Sequence, residues 1–381
     1  MTITFITNFV NHHQIPLADE LYHRLGEKYH YIELCNTIDL VNSMSGYSLI
    51  DRPYIVRPLK SKEDEELTMN LVINSDVLIW GSYESLRYVK IRYKNRKDGL
   101  VFEFGERWLK RGLSNLFSPR LIVNKLIYYL FAPKNNTYRL CASAYAASDE
   151  KLLQSYKYRC LRWAYFTHVP VYDVNKSIAD RQSQMKIRIL WIGRFLKWKH
   201  PEKMIYLGKA LKKASKEFEI IMIGEGPLYA KIENLIKSER LDPIISLYGT
   251  RVNSEILNIM RSCHILCTTS DQNEGWGAVL NEGMASACCP VASVMAGSTP
   301  YLVESGKNGF VYKEDQELIN TVVFLIDNPE IRGMMMHNAY ETMYKVWNSN
   351  LAADRFIEFC KRKLNGEDIS YDSGPLSLEQ V

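Results

Sequence analysis

Two glutamates separated by seven residues, Glu274 and Glu282, bracket the run Gly275-Trp276-Gly277-Ala278-Val-Leu-Asn at what reads as a loop-to-helix junction. Carboxylates accept hydrogen bonds from sugar and ribose hydroxyls. Gly275 and Gly277 leave backbone N–H groups open near the helix start, where the helix dipole favours phosphate. Helical side chains lean toward the N-terminus, so Glu274 in the loop and Glu282 in the helix can face one ligand. The plainer alternative is two unrelated surface glutamates. A second cluster is Gly193-Arg194 with Lys199 five residues on. An arginine fork and a compact ammonium ahead of a helix suit a diphosphate, although nearby Lys197 and Lys203 also fit a solvated basic turn. The third is Gly224-Glu225-Gly226-Pro227 after an apolar run. Its amides suit an anion next to a helix start, or it is a tight turn. It fails as a dinucleotide fingerprint, because Tyr229 stands where the third glycine belongs.

These loops need a scaffold, and the hydrophobic pattern supplies one. Strand-like runs at Ile187–Ile192, Glu219–Ile223, Ile244–Tyr248, His264–Thr268 and Pro290–Val294 alternate with helical segments at Lys203–Ser215, Leu228–Glu239, Ser254–Ser262 and Gly277–Cys288. Such alternation predicts βαβ units and a doubly wound parallel sheet. In the first half, Ile3–Thr7, Asp76–Trp80 and Arg139–Ala142 read as buried strands, and Pro16–Leu25 as a helix after the loop Asn8–Gln14. The expected organisation is a Rossmann-like domain over 1–170, a linker over 171–186, and a second Rossmann-like domain over 187–350. A terminal helix over 351–364 packing back on the first domain and a flexible tail over 365–381 complete it. Ligand is expected at the carboxyl ends of the strands, in a cleft between the domains.

Composition narrows the class. The chain has 381 residues, 46% apolar and 24% charged, which excludes disordered, collagen-like and coiled-coil readings. Residues 1–170 hold 23 basic against 17 acidic residues, so the first half carries the positive excess. Eight cysteines without a C-x2-C pair argue against a zinc site and a disulfide framework, and read as buried thiols in a reducing compartment. No basic region precedes the apolar N-terminal residues, and no apolar stretch reaches a membrane span's length. A cytoplasmic location is expected, with peripheral contact at the inner face of the membrane.

The ordered motifs GR…K, GEGP, LYGTR, EGWGAVLNEGMA…PV and ESGKNGFVY, spread over Ile187 to Tyr312, resemble the retaining glycosyltransferases of family 4. Their fold is GT-B, two Rossmann-like doubly wound parallel-sheet domains. The resemblance implies that Arg194 and Lys199 bind the donor diphosphate, that Glu274 contacts the transferred sugar and Glu282 the ribose, and that Thr250 and Arg251 lie beside the base. Gly193, Gly224, Gly226, Gly275, Trp276, Gly277 and Ala278 complete the implied donor site. The implied activity is transfer of a hexose-type sugar from a nucleoside-diphosphate donor, UDP-linked, to a glycan or lipid-linked hydroxyl in bacterial surface polysaccharide assembly. No cofactor is implied.

The first half matches this pattern less closely. The loop Asn8–Gln14 lacks the glycines many members carry there, and His12 and His13 either face the phosphates or acceptor or have no role. Glu106 and Arg107, in FEFGERWLKRG, resemble a polysaccharide-assembly version of the family and are placed on the acceptor side, the alternative being a charge pair at a helix start. The chain holds no Asp-x-Asp triplet, so metal-independent chemistry is expected, with Arg194, Lys199 and helix amides neutralising the leaving group. The rival readings are a sugar phosphorylase of the same fold, an inactive partner-binding scaffold and a nicotinamide dehydrogenase. Nucleic acid is not an expected partner, since no recognition module appears. Residues 87–97 hold six cations and two tyrosines without an acid, and Arg107, Lys110, Arg111, Arg120 and Lys125 follow among Trp108, Leu113, Phe117 and Leu121. That mixture suits an anionic bilayer surface, or a solvated face over an ordinary core helix.

Overall fold

The computed structural model describes residues 1–35 and 50–379. The chain divides into two compact units, Met1–Thr167 with Ser349–Val381, and His168–Asn348. Each is a parallel sheet with helical crossovers.

In the first unit the strands are β1 (Ile3–Thr7), β2 (Tyr29–Glu33), β3 (Ile55–Val56), β4 (Val77–Trp80), β5 (Leu100–Gly105), β6 (Thr137–Cys141) and β7 (Cys160–Arg162), in the order β3-β2-β1-β4-β5-β6-β7. Every pairing is parallel, with Ile3 opposite Val77 and Phe5 opposite Ile79. Helices α1 (Ile15–Leu25), α2 (Lys62–Asn74), α3 (Leu86–Asn95), α4 (Pro119–Phe131) and α5 (Ala146–Leu152) connect them. α2 starts where Ser61 Oγ accepts the Asp64 amide at 3.0 Å, with three acids in its first turn, both favourable at a helix N-terminus. Strand order reverses between β1 and β4.

Strand β5 escapes the sequence pattern because Glu103 interrupts its apolar run. Its carboxylate is buried and spent internally: Arg139 pairs with Glu103 at 2.6 Å and with Glu150 at 3.3 Å, while Lys125 also pairs with Glu150. Burial alone would raise the Glu150 carboxyl, but Lys125 and Arg139 hold it below its usual range.

The second unit orders its strands β10-β9-β8-β11-β12-β13, all parallel. They are β8 (Ile187–Ile192), β9 (Phe218–Ile223), β10 (Ile245–Leu247), β11 (Ile265–Thr268), β12 (Cys289–Ser293) and β13 (Phe310–Tyr312). The crossovers relevant to the site are α7 (Glu202–Lys213), α8 (Tyr229–Ser238), α9 (Asn253–Ser262) and α10 (Val279–Ala285). A core including Ile189, Trp191, Met204, Ile220, Met222, Ile265 and Val291 fills the sheet faces. The reversal in strand order falls between β8 and β11, so their following loops flank the position where open parallel sheets bind ligands.

Two expectations are corrected. The stretch 171–186, read as a linker because of its prolines and weak period, contains α6 (Val174–Gln182). Asp173 caps it through the Lys176 amide at 2.9 Å, Val174 and Ile178 join the second unit's core, and Arg181 reaches the carbonyls of Cys263 and Ala287. The tail, read as flexible from its glycines and proline, is largely exposed over 365–373 but packed over 374–379. Leu376 is buried, Leu378 bridges Leu161, and Glu379 pairs with Arg162 at 2.8 Å. The preceding helix, Ser349–Leu364, sets Phe356 against Phe102 and Trp163, and Asp354 against Arg24.

Candidate functional site

In the second unit, four of the sequence motifs emerge from the carboxyl ends of adjacent strands. Arg194 and Lys199 follow β8, Gly224–Gly226 follow β9, Thr250 and Arg251 follow β10, and Glu274–Ala278 follow β11. Parallel pairing forces this convergence, since every strand ends on the same edge.

The β8 and β11 loops meet directly. Lys199 Nζ pairs with Glu274 Oε2, and Ser270 Oγ donates to the same oxygen at 3.2 Å. Both Lys199 and Glu274 are mostly shielded, with side chains 17% and 16% exposed. Arg194 stays exposed and forms no ion pair among the described residues. One cation is thus locked against a carboxylate while a second is free to meet an anion.

The residues that fix this geometry carry no local sequence signal. Trp191 Nε1 donates to Thr269 Oγ1 at 2.8 Å, and Thr269 Oγ1 donates to the Lys199 carbonyl. The His200 ring spans Glu202 at 2.9 Å and Asp271 at 3.2 Å. Asp271 in turn accepts the Asn273 amide at 2.8 Å, and its carbonyl accepts the Glu274 amide at 3.0 Å. Trp191, His200, Thr269 and Asp271 therefore tie the lysine loop to the glutamate loop across some seventy residues of chain.

The glycine motif after β9 serves a different purpose from the one its composition suggests. Gly224 has φ +127°, and a Cβ there would lie 2.1 Å from the Gly193 carbonyl oxygen. At Gly226, with φ +151°, a Cβ would sit 2.9 Å from Phe195 backbone atoms. Only glycine fits such a close approach between two loops. The Gly193 amide donates to Ile223 and the Gly224 amide to the Gly249 carbonyl, so neither is open to an anion. This corrects the expectation of anion-binding amides at Gly224.

The Trp276 indole is buried, donates to Asn281 Oδ1 at 2.9 Å and packs near Tyr301, so its ring belongs to the interior of the unit. Gly277, with φ +91° and its would-be Cβ 3.4 Å from Glu274 Cγ, lets the loop turn tightly around that carboxylate. Ala278 precedes α10, and Glu282 lies in the first turn of that helix. Thr250 and Arg251 are exposed, the Thr250 amide facing Glu225 Oε1 at 3.5 Å and Arg251 facing Glu255 at 3.8 Å.

Burial pushes the Glu282 carboxyl up to about 7. The unfolded chain ionises this group near its ordinary 4.5, so raising the pH from there to about 7 charges the unfolded state first and costs the folded state stability; above 7 the cost is constant. Glu282→Gln is therefore expected to stabilise the protein by about 1–3 kcal/mol at pH 8 and by little at pH 4.5. Urea midpoints at the two pH values check this, and an equal effect at both would contradict it.

In the first unit, a cavity of about 370 Å³ opens at the β1/β4 reversal, within the range of small-molecule sites. Phe9, Trp80, Phe104, Trp108 and Tyr165 give it aromatic walls, and Glu106, Arg107 and Arg120 line it too. Glu106 and Arg107 sit in the loop after β5, not at a helix start. Glu106 pairs with Lys110 and accepts Tyr165 Oη at 3.4 Å, while Arg107 is held by Asp149 at 3.1 Å. Aromatic rings beside paired polar groups suit a sugar. His12 and His13 follow β1 with ring centroids 3.7 Å apart. Burial, with His12 beside it, pushes His13 down to about 3, so its imidazole is neutral at physiological pH.

Residues 174–342 match the family model described as Glycosyl transferases group 1. Curated relatives include an uncharacterized glycosyltransferase of Methanocaldococcus jannaschii, 29% identical over 217 residues, 56% of this chain and 56% of that protein. The alpha-monoglucosyldiacylglycerol synthase of Acholeplasma laidlawii is 29% identical over 119 residues, 31% of this chain and 29% of that protein. These matches thus span little more than half of such relatives, or less. Among solved structures, Anabaena Alr3699/HepE in complex with UDP superposes with a TM-score of 0.70 at 16% identity, covering 95% of this chain and 100% of that one. Such likeness establishes the GT-B fold.

Proposed function

We propose that this chain, whose residues 174–342 carry the group 1 glycosyltransferase match, is a retaining, metal-independent hexosyltransferase of family 4. It takes a sugar from a UDP-linked donor and delivers it to a hydroxyl of a glycan or lipid-linked acceptor in bacterial surface polysaccharide assembly. The observation that carries this reading is the Lys199–Glu274 pair at the strand-order reversal, with Arg194 left free beside it. UDP in the Anabaena neighbour supports the donor nucleotide. The lipid product in the Acholeplasma relative's name supports a lipid-linked acceptor, and its alpha designation fits retention from an α-linked donor.

In this mechanism Arg194 forks onto the diphosphate and Lys199 supplies a second positive charge where it meets the sugar. Glu274 orients the sugar hydroxyls and Glu282 the ribose. The acceptor oxygen bonds to the anomeric carbon on the face from which the leaving group departs. The breaking bond's electron pair leaves with UDP, and a phosphate oxygen takes the acceptor proton. Charge developing on the diphosphate is stabilised by groups already in place, and no protein nucleophile is needed. The first unit's aromatic cavity holds the acceptor, with Glu106 on its wall.

A thermal-shift panel of UDP, GDP, ADP and dTDP tests the donor assignment. UDP at 100 times its dissociation constant is expected to stabilise the fold by about 2.7 kcal/mol, with the other bases far less effective. Transfer is expected to persist in EDTA. Activity lost in EDTA and restored by manganese or magnesium would overturn the metal-independent mechanism, and release of inorganic phosphate in place of UDP would favour a phosphorylase.

A further inference from the structure

Helix α4 is built inside out. Its inward stripe is Leu121, Asn124, Lys125 and Tyr128, all buried. The two polar members have partners within the unit, Asn124 Nδ2 donating to Glu103 at 3.2 Å while its Oδ1 is left without one, and Lys125 pairing with Glu150. Its outward stripe is Ile122, Val123, Leu126, Tyr129 and Leu130, spaced at helical intervals and exposed, Leu126 by 52% and Leu130 by 69%. A helix facing water carries the opposite pattern. The short turn before it, Leu113–Phe117, extends the patch with Leu113 and with Phe117, which is 82% exposed.

Cations edge this apolar face. The ammonium groups of Lys90 and Lys94 lie over the Phe131 ring at 5.3 and 5.2 Å, and Lys97 donates to the Phe131 carbonyl at 2.9 Å. Lys134 lies over Tyr129 and Arg120 over Tyr83. Neither α3 nor α4 contains an acid. The residues 87–97 that suggested lipid contact from sequence divide in the structure. Tyr88, Arg92 and Tyr93 are buried, Arg92 spending its guanidinium on the Ile73 carbonyl, and only Lys90, Lys94 and Lys97 sit beside the apolar stripe. Leu121 is buried as well.

We propose that the outward face of α4, with the Leu113–Phe117 turn, is a docking surface for an anionic lipid bilayer. Apolar side chains enter the acyl boundary while the flanking lysines meet anionic headgroups, a combination in which area and charge both contribute. The charge of this edge selects a bilayer over an uncharged apolar partner. Arg120 and Asn124, on the same helix, also line the aromatic cavity, so docking brings the cavity to the depth of lipid headgroups. That step rests on the lipid-linked acceptor of the proposed function and specifies which element receives it.

Flotation of the full chain with phosphatidylcholine vesicles, and with vesicles also containing phosphatidylglycerol, tests the surface. Anionic vesicles are expected to bind about tenfold or more tightly than neutral ones, less so as salt is raised. Leu126→Ser with Leu130→Ser, and separately Lys90→Gln with Lys94→Gln, are each expected to cost about tenfold in vesicle binding. These side chains are exposed, so urea midpoints should hold. No binding by the wild-type chain, or binding unchanged in the leucine variant, overturns the proposal. Self-association in solution that the leucine variant abolishes overturns it in favour of a second copy as occupant. UDP stabilisation measured on the same samples separates the two readings: vesicle binding that fails while UDP still stabilises the fold removes the docking surface alone, and the reverse removes the donor assignment alone.

Discussion

Arg194→Ala and Lys199→Ala are each expected to slow sugar transfer by roughly 2–4 kcal/mol in activation free energy, about 30- to 1,000-fold. Both cations stand after β8, beside the strand-order reversal, where a diphosphate would gain charge as the glycosidic bond breaks. The two variants should differ in the resting protein. Arg194 is exposed and makes no ion pair among the described residues, so its loss should leave stability unchanged. Removing Lys199 leaves the shielded Glu274 without its cation, and a drop of about 1 kcal/mol in stability is expected. Steady-state kinetics alongside urea midpoints separate the effects. Wild-type turnover in both variants would remove the diphosphate assignment.

Glu274→Gln is expected to lower turnover by about 100-fold or more while leaving UDP binding nearly intact. The amide keeps the shape of a side chain enclosed by Lys199, Ser270 and Gly277, but it loses the charge that holds the lysine and the acceptor strength that orients sugar hydroxyls. Glu282→Ala is expected to do the reverse, weakening UDP itself by about tenfold through a lost charged hydrogen bond. The contrast matters more than either value. Loss of UDP binding in Glu274→Gln would show that the division between sugar and ribose is drawn wrongly.

The second sheet was legible in sequence because β8, β9 and β11 each hold an unbroken apolar run, Ile189–Ile192, Ile220–Ile223 and Ile265–Cys267, that ends in a polar or glycine loop. Where a charge falls in the middle of a strand the run is broken, as with Glu103 in β5, and its compensation by Arg139 comes from a strand that is distant in sequence. Strand β13 is three residues long, too short for any period. Site residues followed the same division. The motif positions Arg194, Lys199, Glu274 and Glu282 could be picked out by type and spacing. The burial of the Trp276 indole could not be read, because its partner Asn281 meets it only once α10 is folded. Trp191, His200, Thr269 and Asp271 were invisible, since their work is to join loops from different strands. The outward apolar face of α4 was hidden for a related reason: which side of a helix meets the sheet depends on Glu103 and Glu150, outside the helix.

Isothermal calorimetry of UDP against the wild-type chain and the Arg194→Ala, Lys199→Ala double variant tests the central claim most directly, because it reports on the donor site without requiring the acceptor. One UDP per chain is expected for the wild type, with affinity reduced about 100-fold or more in the double variant as two charge-assisted contacts are lost. Equal affinity in the two proteins, or no binding by the wild type, would contradict a diphosphate site at the carboxyl ends of β8 and β11.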